Sequence, residues 1–198
     1  MYLISLDLSI SSTGMTIFNS GTNHTEFYIF SSKLNKKEIG FSAEFSNSKI
    51  ALYNTKSYYN LFNPLRYHKI AQDIVTKLAW IKPEDAVIVV EGASFASKGL
   101  LFDIGNFAGL VFGELYNHGF DIQYICPSQE WKKFHNLSKR GLTKINYIYH
   151  ASQNYPVFNQ LTDIFNEKGF NYLRKGAYTE DLCDSFLMGQ YYLEKFND

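Results

Sequence analysis

Residues 3–10 alternate, with Leu3, Ser5, Asp7 and Ser9 on one side and Ile4, Leu6, Leu8 and Ile10 on the other. That is the period of a strand with one polar face. Ser11-Ser12-Thr13-Gly14 reads as a turn, residues 15–18 resume an apolar strand, Gly21-Thr22-Asn23 turns again, and Phe27-Tyr28-Ile29-Phe30 makes a third strand within residues 26–31. The chain therefore opens as an antiparallel meander. Residues 32–63 are polar, rich in Asn, Ser and Lys, with no sustained period beyond a short strand around residues 50–53. They read as a long excursion, an insertion candidate and not a linker between two cores.

Ile70, Ile74 and Leu78 have helical spacing within residues 64–80, and Lys82-Pro83-Glu84-Asp85 breaks that helix. Val87-Ile88-Val89-Val90 is a continuous β-branched run ending in Glu91-Gly92, the pattern of a strand buried on both faces and entered through a crossover helix. Residues 99–118 form the longest helical segment, with Gly105, Gly109 and Gly113 recurring every four residues. Each interior Gly costs a helix about 1 kcal/mol relative to Ala, so the stripe predicts close approach of its own sheet or of a partner. A strand over 122–126, a short helix over 127–134, a helix over 142–155 and a last helix capped by Thr179 and reaching about Phe196 complete the order. The fold class is α/β: a five-stranded mixed sheet, three antiparallel strands and then two parallel ones, flanked by helices. The whole chain reads as one domain.

Length supports this, because a chain of 198 residues buries about 70% of its unfolded surface and needs neither disulfide nor metal to hold a core. Any metal would be present for chemistry. Cys126 and Cys183 lie far apart with no zinc-type spacing, and read as small core residues. The first residues lack the basic stretch and cleavage site of a signal peptide, and no uncharged run has transmembrane length, so the expected compartment is the cytoplasm, with no membrane partner. The 19 Lys and Arg balance the 19 Asp and Glu, but their distribution is uneven. Lys132, Lys133, Lys139, Arg140 and Lys144 face only Glu130 in residues 127–150, whereas residues 179–198 are acidic.

Four acids stand in unusual places: Asp7 within an apolar strand, Glu91 at the end of another, and Asp181 with Asp184 on one helix. Each alone has an ordinary explanation, as a turn cap, a strand end entering solvent or a first-turn helix acid. Together they are harder to dismiss. If the first strand and the one ending at Glu91 are neighbours, Asp7 and Glu91 lie side by side, while Asp181 and Asp184 share a helical face. Such a group cannot all ionise in a dry site without a counter-charge. Oxygen-only ligands suit Mg²⁺ or Mn²⁺, and two such ions about 4 Å apart serve phosphodiester hydrolysis.

Asp7-Leu-Ser-Ile-Ser-Ser-Thr-Gly-Met-Thr-Ile resembles the first strand and turn of the RuvC family of Holliday junction resolvases, particularly its phage-type members. Val-Val-Glu91-Gly-Ala-Ser-Phe-Ala-Ser-Lys98-Gly99 is similar to the family's second acidic motif, and Asp181-Leu-Cys-Asp184 to its terminal helix. Ile-Gly105-Asn-Phe-Ala-Gly109 is similar to its Gly-bearing helix, and Pro127-Ser-Gln-Glu-Trp-Lys132-Lys133, followed by Lys144, to its basic segment. The five matches fall in family order across nearly the whole chain. The chain departs from the family in having Leu8 where many members have Pro, in keeping only Gly141 of a Gly-x-Gly before the late lysine, and in its 32–63 stretch.

The resemblance implies a ribonuclease H-like fold in which Asp7, Glu91, Asp181 and Asp184 hold two Mg²⁺, with Mn²⁺ able to substitute. It implies hydrolysis that leaves a 5′-phosphate and a 3′-hydroxyl. Lys144, with Lys132 or Lys133, would contact phosphate near that centre, and Lys139 and Arg140 would bind DNA, unless they are ordinary solvated charges. In the loop after Glu91, Ser97 and Lys98 would bind backbone phosphate, and Phe95 is either a wedge between unstacked bases or a core plug. The implied substrate is branched DNA, above all the four-way junction, and symmetric cutting implies a homodimer. Two other readings stay open: a branched-DNA-binding protein that has kept the fold without the chemistry, and an actin-like phosphotransferase. The second lacks its other half in this chain.

Overall fold

In the computed structural model, β1 (Tyr2–Asp7) lies inside the sheet, antiparallel to β2 (Ser12–Asn19) and parallel to β6 (Ala86–Glu91). Residues 1–92, 101–174 and 176–196 are described, so Phe95, Ser97 and Lys98 lie outside the described residues. Beyond β2 comes β3 (His24–Ser31), antiparallel to it, and beyond β6 comes β7 (Ile122–Cys126), parallel to it. These are the five strands expected from the sequence, except that β1 stops at Asp7 and Ser12-Thr13-Gly14, expected as a turn, belong to β2. The sheet nevertheless has seven, because the 32–63 stretch folds onto the free edge of β3. There β5 (Ser48–Asn54) runs parallel to β3, and β4 (Ser42–Phe45) closes antiparallel on β5. Ile50 and Leu52 of β5 are buried, whereas the four residues of β4 form an exposed edge strand too short to show a period.

Helices cover both faces. On one, α1 (Asn63–Leu78) and α2 (Leu101–Asn117) set Ile70, Ile74, Phe107, Val111 and Leu115 against Ile4, Leu6, Met15, Ile88 and Val90. On the other, α6 (Tyr178–Phe196) packs on β1 and β2, backed by α3 (Ser128–Phe134), α4 (Lys144–Asn154) and α5 (Pro156–Glu167). The sequence reading has no counterpart to α5. It also differs at the start of α6: Thr179 is a buried residue inside that helix, and its hydroxyl donates to the Tyr172 carbonyl instead of capping.

The polar side of β1 is the seat of α6, not a solvent face. Ser5 Oγ donates to the Ser185 carbonyl at 2.6 Å, and the Thr16 and Ser185 hydroxyls are 2.9 Å apart. A Cβ at Gly14 would overlap the Asp181 carbonyl, and one at Gly189 would overlap the Phe18 ring. Small and hydroxyl-bearing residues therefore let α6 settle onto the sheet with its polar groups paired. The Gly105, Gly109 and Gly113 stripe does the opposite of one expected use. All three glycines are exposed, and among the described residues a Cβ on any of them would meet no atom within 4 Å, since α2 packs through Phe107, Val111 and Leu115.

Candidate active site

The parallel register pairs Leu6 with Val90, so the next residues, Asp7 and Glu91, leave the sheet side by side. Asp184 reaches the same point from α6. One carboxylate oxygen from each of Asp7, Glu91 and Asp184 lies within 4.8 Å of the others. Asp7 and Asp184 are only 7% and 2% exposed, so like charges converge where water screens them least. Burial first, and then Glu91 and Asp181, push the Asp7 carboxyl well above the ordinary carboxylate range.

Asp181 adjoins this triad without entering it. It stands one turn earlier on α6, where Gly14 meets the helix, and burial pushes its carboxyl up to about 6 against the pull of Ser12, Lys33 and Lys144. Asp184 Oδ1 and Asp181 Oδ2 are buried without a hydrogen-bond partner among the described residues. A buried carboxylate oxygen left unpaired is costly, and an oxygen-ligated divalent cation would satisfy it. The donor set fits such a cation: three converging carboxylates, two unpaired oxygens and no His or Cys.

Two lysines border the acids. Lys144, the first residue of α4, pairs with Asp184 Oδ2. Its position is set by the Thr143 cap, whose backbone N–H donates to Asn146 Oδ1 at 2.8 Å, and by Gly141, whose φ of +93° turns the chain into that cap. Lys132 Nζ lies 3.8 Å from Glu91 Oε1. Its neighbour Lys133 is exposed, because consecutive helical residues point about 100° apart. Lys132 is thus the one brought to the acids. Lys133 and Lys139 instead line an outer groove with Lys132, Ser128, Gln129 and Tyr147, and Arg140 is exposed on the same loop.

Two contributors escaped the sequence reading. Trp131 is fully buried, and its Nε1–H donates to Glu91 Oε1 at 3.3 Å. Glu130, the one acid in the basic stretch, accepts from Tyr124 at 2.8 Å, Tyr191 at 2.6 Å and Lys195 at 3.2 Å. These donors hold its carboxyl down at about 2 and bind α3 to β7 and α6. The only signal for either was position, next to Lys132.

No family model matches this chain, and no curated protein matches it in sequence. Solved structures do match. T. thermophilus RuvC in complex with a Holliday junction substrate aligns over 99% of this chain and 96% of its own, with a TM-score of 0.51 and 13% identity. Thermus thermophilus RuvC alone aligns over 98% and 96%, with a TM-score of 0.53 and 14% identity. The fold is that of RuvC. The yeast mitochondrial Holliday junction resolvase Ydc2 aligns more loosely, over 96% of this chain and 77% of its own, at a TM-score of 0.44 and 8% identity. The sheet order β3-β2-β1-β6-β7 with α6 laid across β1 is the ribonuclease H-like arrangement, with β5 and β4 continuing the sheet beyond β3. Among the described residues no helix is long and apolar enough to cross a membrane.

Proposed function

We propose that this chain is a metal-dependent endodeoxyribonuclease that cuts four-way junctions and related branched DNA, leaving 5′-phosphate and 3′-hydroxyl ends. The observation that carries the reading is the convergence of Asp7, Glu91 and Asp184 within 4.8 Å, bordered by Lys144 and Lys132, on the fold of RuvC. Asp7, Glu91 and Asp184, with Asp181 alongside, would hold two Mg²⁺ or Mn²⁺. When bound, such a cation pair neutralises the carboxylates and polarises the attacking and leaving oxygens of an in-line displacement. A water oxygen bonds to phosphorus, the bond from phosphorus to the 3′ oxygen breaks, and that oxygen takes up a proton.

The chain's own part is to hold and neutralise. Lys144 and Lys132 place point charges against the extra negative charge of the five-coordinate phosphorus. Lys133, Lys139 and Arg140 hold backbone phosphates in the outer groove beside it. Incubation with a four-way junction, a fork and linear duplex tests the reading directly. Paired symmetric nicks in the junction with Mg²⁺, absent with EDTA, are expected; junction binding with no cut under any divalent cation would replace it with a binding role.

Cutting both strands of a two-fold junction calls for a two-fold homodimer with one site per subunit. The exposed Gly face of α2 supports its use as part of that interface, since no packing among the described residues accounts for it. Gly109→Leu is expected to leave the melting temperature of the monomer unchanged or slightly raised while weakening the dimer in sedimentation. A dimer mass unchanged at micromolar concentration would remove α2 from the interface.

A further inference from the structure

The loop that follows β3 carries Lys33, Lys36 and Lys37 with a single acid, Glu38. The sequence makes this segment look only mildly basic; the structure does not. Glu38 is fully buried, its Oε2 accepting the Asn35 N–H at 2.8 Å, while Asn35 Oδ1 accepts the Lys37 N–H at 3.0 Å. The loop is folded around its acid, which is hidden, while Lys36 and Lys37 are exposed beside Asn35, Ile39 and Gly40 and Lys33 is half-buried. Arg174 Nη2 donates to the Lys33 carbonyl at 2.6 Å, tying the loop to the connection between α5 and α6. Asn35, Lys36 and Lys37 line one shallow basin with Gly169 and Asn171, and Lys168 and Arg174 are exposed on the same connection. Among the described residues none of these five cations has a carboxylate within 4 Å, and Glu180 on the adjoining turn is engaged by the Gly176 N–H at 2.8 Å.

Topology places the basin. β1 and β3 are both antiparallel to β2, and β6 and β7 run parallel to β1, so the ends of all four strands point the same way. The Lys33 loop follows β3, the acids sit where β1 and β6 end, and the Lys132 to Lys144 segment follows β7. Lys33 is close enough for its charge to act on Asp181. Two basic surfaces thus flank the acids, separated by four strand spacings, about 19 Å. That distance corresponds to roughly five or six base-pair steps, within the reach of one duplex arm.

We infer that the basin lined by Lys36 and Lys37, with Lys33, Lys168 and Arg174 on the segments around it, is a second backbone-phosphate-binding surface, holding duplex DNA on the β3 side of the cut while the Lys132 to Lys144 segment holds it on the β7 side. The inference rests on the nuclease reading. A polyanion brought onto buried carboxylates is repelled by them, and cations on both sides oppose that repulsion where cations on one side would let the strand swing away. Lysines and an arginine with exposed heads and no groove for base edges suit phosphate contact without sequence preference.

The test is junction binding by the full chain in Ca²⁺, followed across salt concentration, for wild type, Lys36→Ala/Lys37→Ala and Lys82→Ala. Lys82 is exposed at the opposite end of the sheet and serves as the control. Each phosphate contact contributes about 0.9 to the slope of log K against log salt, so the double variant is expected to lose about 1.8 of that slope and bind about tenfold more weakly near physiological salt. Its melting temperature should match wild type, and Lys82→Ala should bind normally. A double variant that keeps the wild-type slope and affinity would overturn the second surface and leave the nuclease reading standing. Failure of the wild type itself to bind junction DNA would overturn both.

Discussion

Asp7→Asn is expected to abolish junction cutting and, at the same time, to stabilise the protein when divalent cations are removed. The first effect follows from the place of Asp7 at the centre of the carboxylate triad. A metal site supplies several kcal/mol of transition-state stabilisation, so losing this carboxylate should slow cleavage by at least about 10³-fold. The second effect follows from burial and like charge, which hold the Asp7 carboxyl well above its ordinary range. For a group whose folded pKa is raised, the stability it brings is complete below its unfolded pKa and is lost as pH rises through the folded value. At pH 7, well above the unfolded pKa, wild type in EDTA has therefore lost stability that Asn, which does not titrate, keeps.

Asp7→Asn should melt about 2–8 °C higher in EDTA, the shift for about 1–2 kcal/mol at this chain length. Mg²⁺ should raise the melting temperature of wild type but not of the variant. Undiminished cutting would remove Asp7 from the chemistry, and a variant less stable than wild type in EDTA would give its carboxylate a structural role instead.

Trp131 should show the next largest effect, in two separable parts. Trp131→Ala deletes a fully buried indole that meets Tyr147 edge-on with ring centroids 6.0 Å apart, and is expected to cost about 3–5 kcal/mol of stability. Trp131→Phe keeps an aromatic body there and deletes the Nε1–H that Glu91 Oε1 accepts. A hydrogen bond to a metal-ligating group typically changes metal affinity 10- to 100-fold. The Phe variant should therefore fold and bind junction normally, need about 10- to 100-fold more Mg²⁺ for half-maximal cutting, and recover at saturating Mg²⁺. An unchanged Mg²⁺ requirement would confine Trp131 to packing.

How much of this was legible beforehand differs by element. The five core strands announced themselves through alternation in β1 and the unbroken Val87 to Val90 run of β6, because burial on one or both faces writes a period into the chain. The edge strand β4 is only four residues long, too short for its alternation to stand out in the chain. Helix α5 was legible and passed over: Pro156 opens it and Phe158, Leu161 and Phe165 keep helical spacing. The glycine stripe of α2 misled in one of its two expected uses. Its spacing shows that a smooth face exists but not which way that face turns, and the two glycines where a Cβ would overlap a neighbour, Gly14 and Gly189, have no comparable repeat.

The site divides in the same way. Local patterning determined that Asp7 lies in a strand, that Glu91 ends one and that Asp181 and Asp184 share a helix, because period and spacing are properties of consecutive residues; that β1 stops at Asp7 was settled by the fold. Strand order and the seating of α6 then decided what meets: Asp184 joins Asp7 and Glu91, Asp181 stands beside them, and Lys132, not Lys133, turns inward. The burial of Glu38 and the pairing of Glu130 with Tyr124, Tyr191 and Lys195, which leave two basic surfaces where the composition shows a neutral chain, were likewise settled by tertiary contacts. A sequence lists charges along one dimension, whereas the field that a phosphate backbone meets depends on which of them the fold buries or pairs, and that is fixed only by contacts between residues distant in the chain.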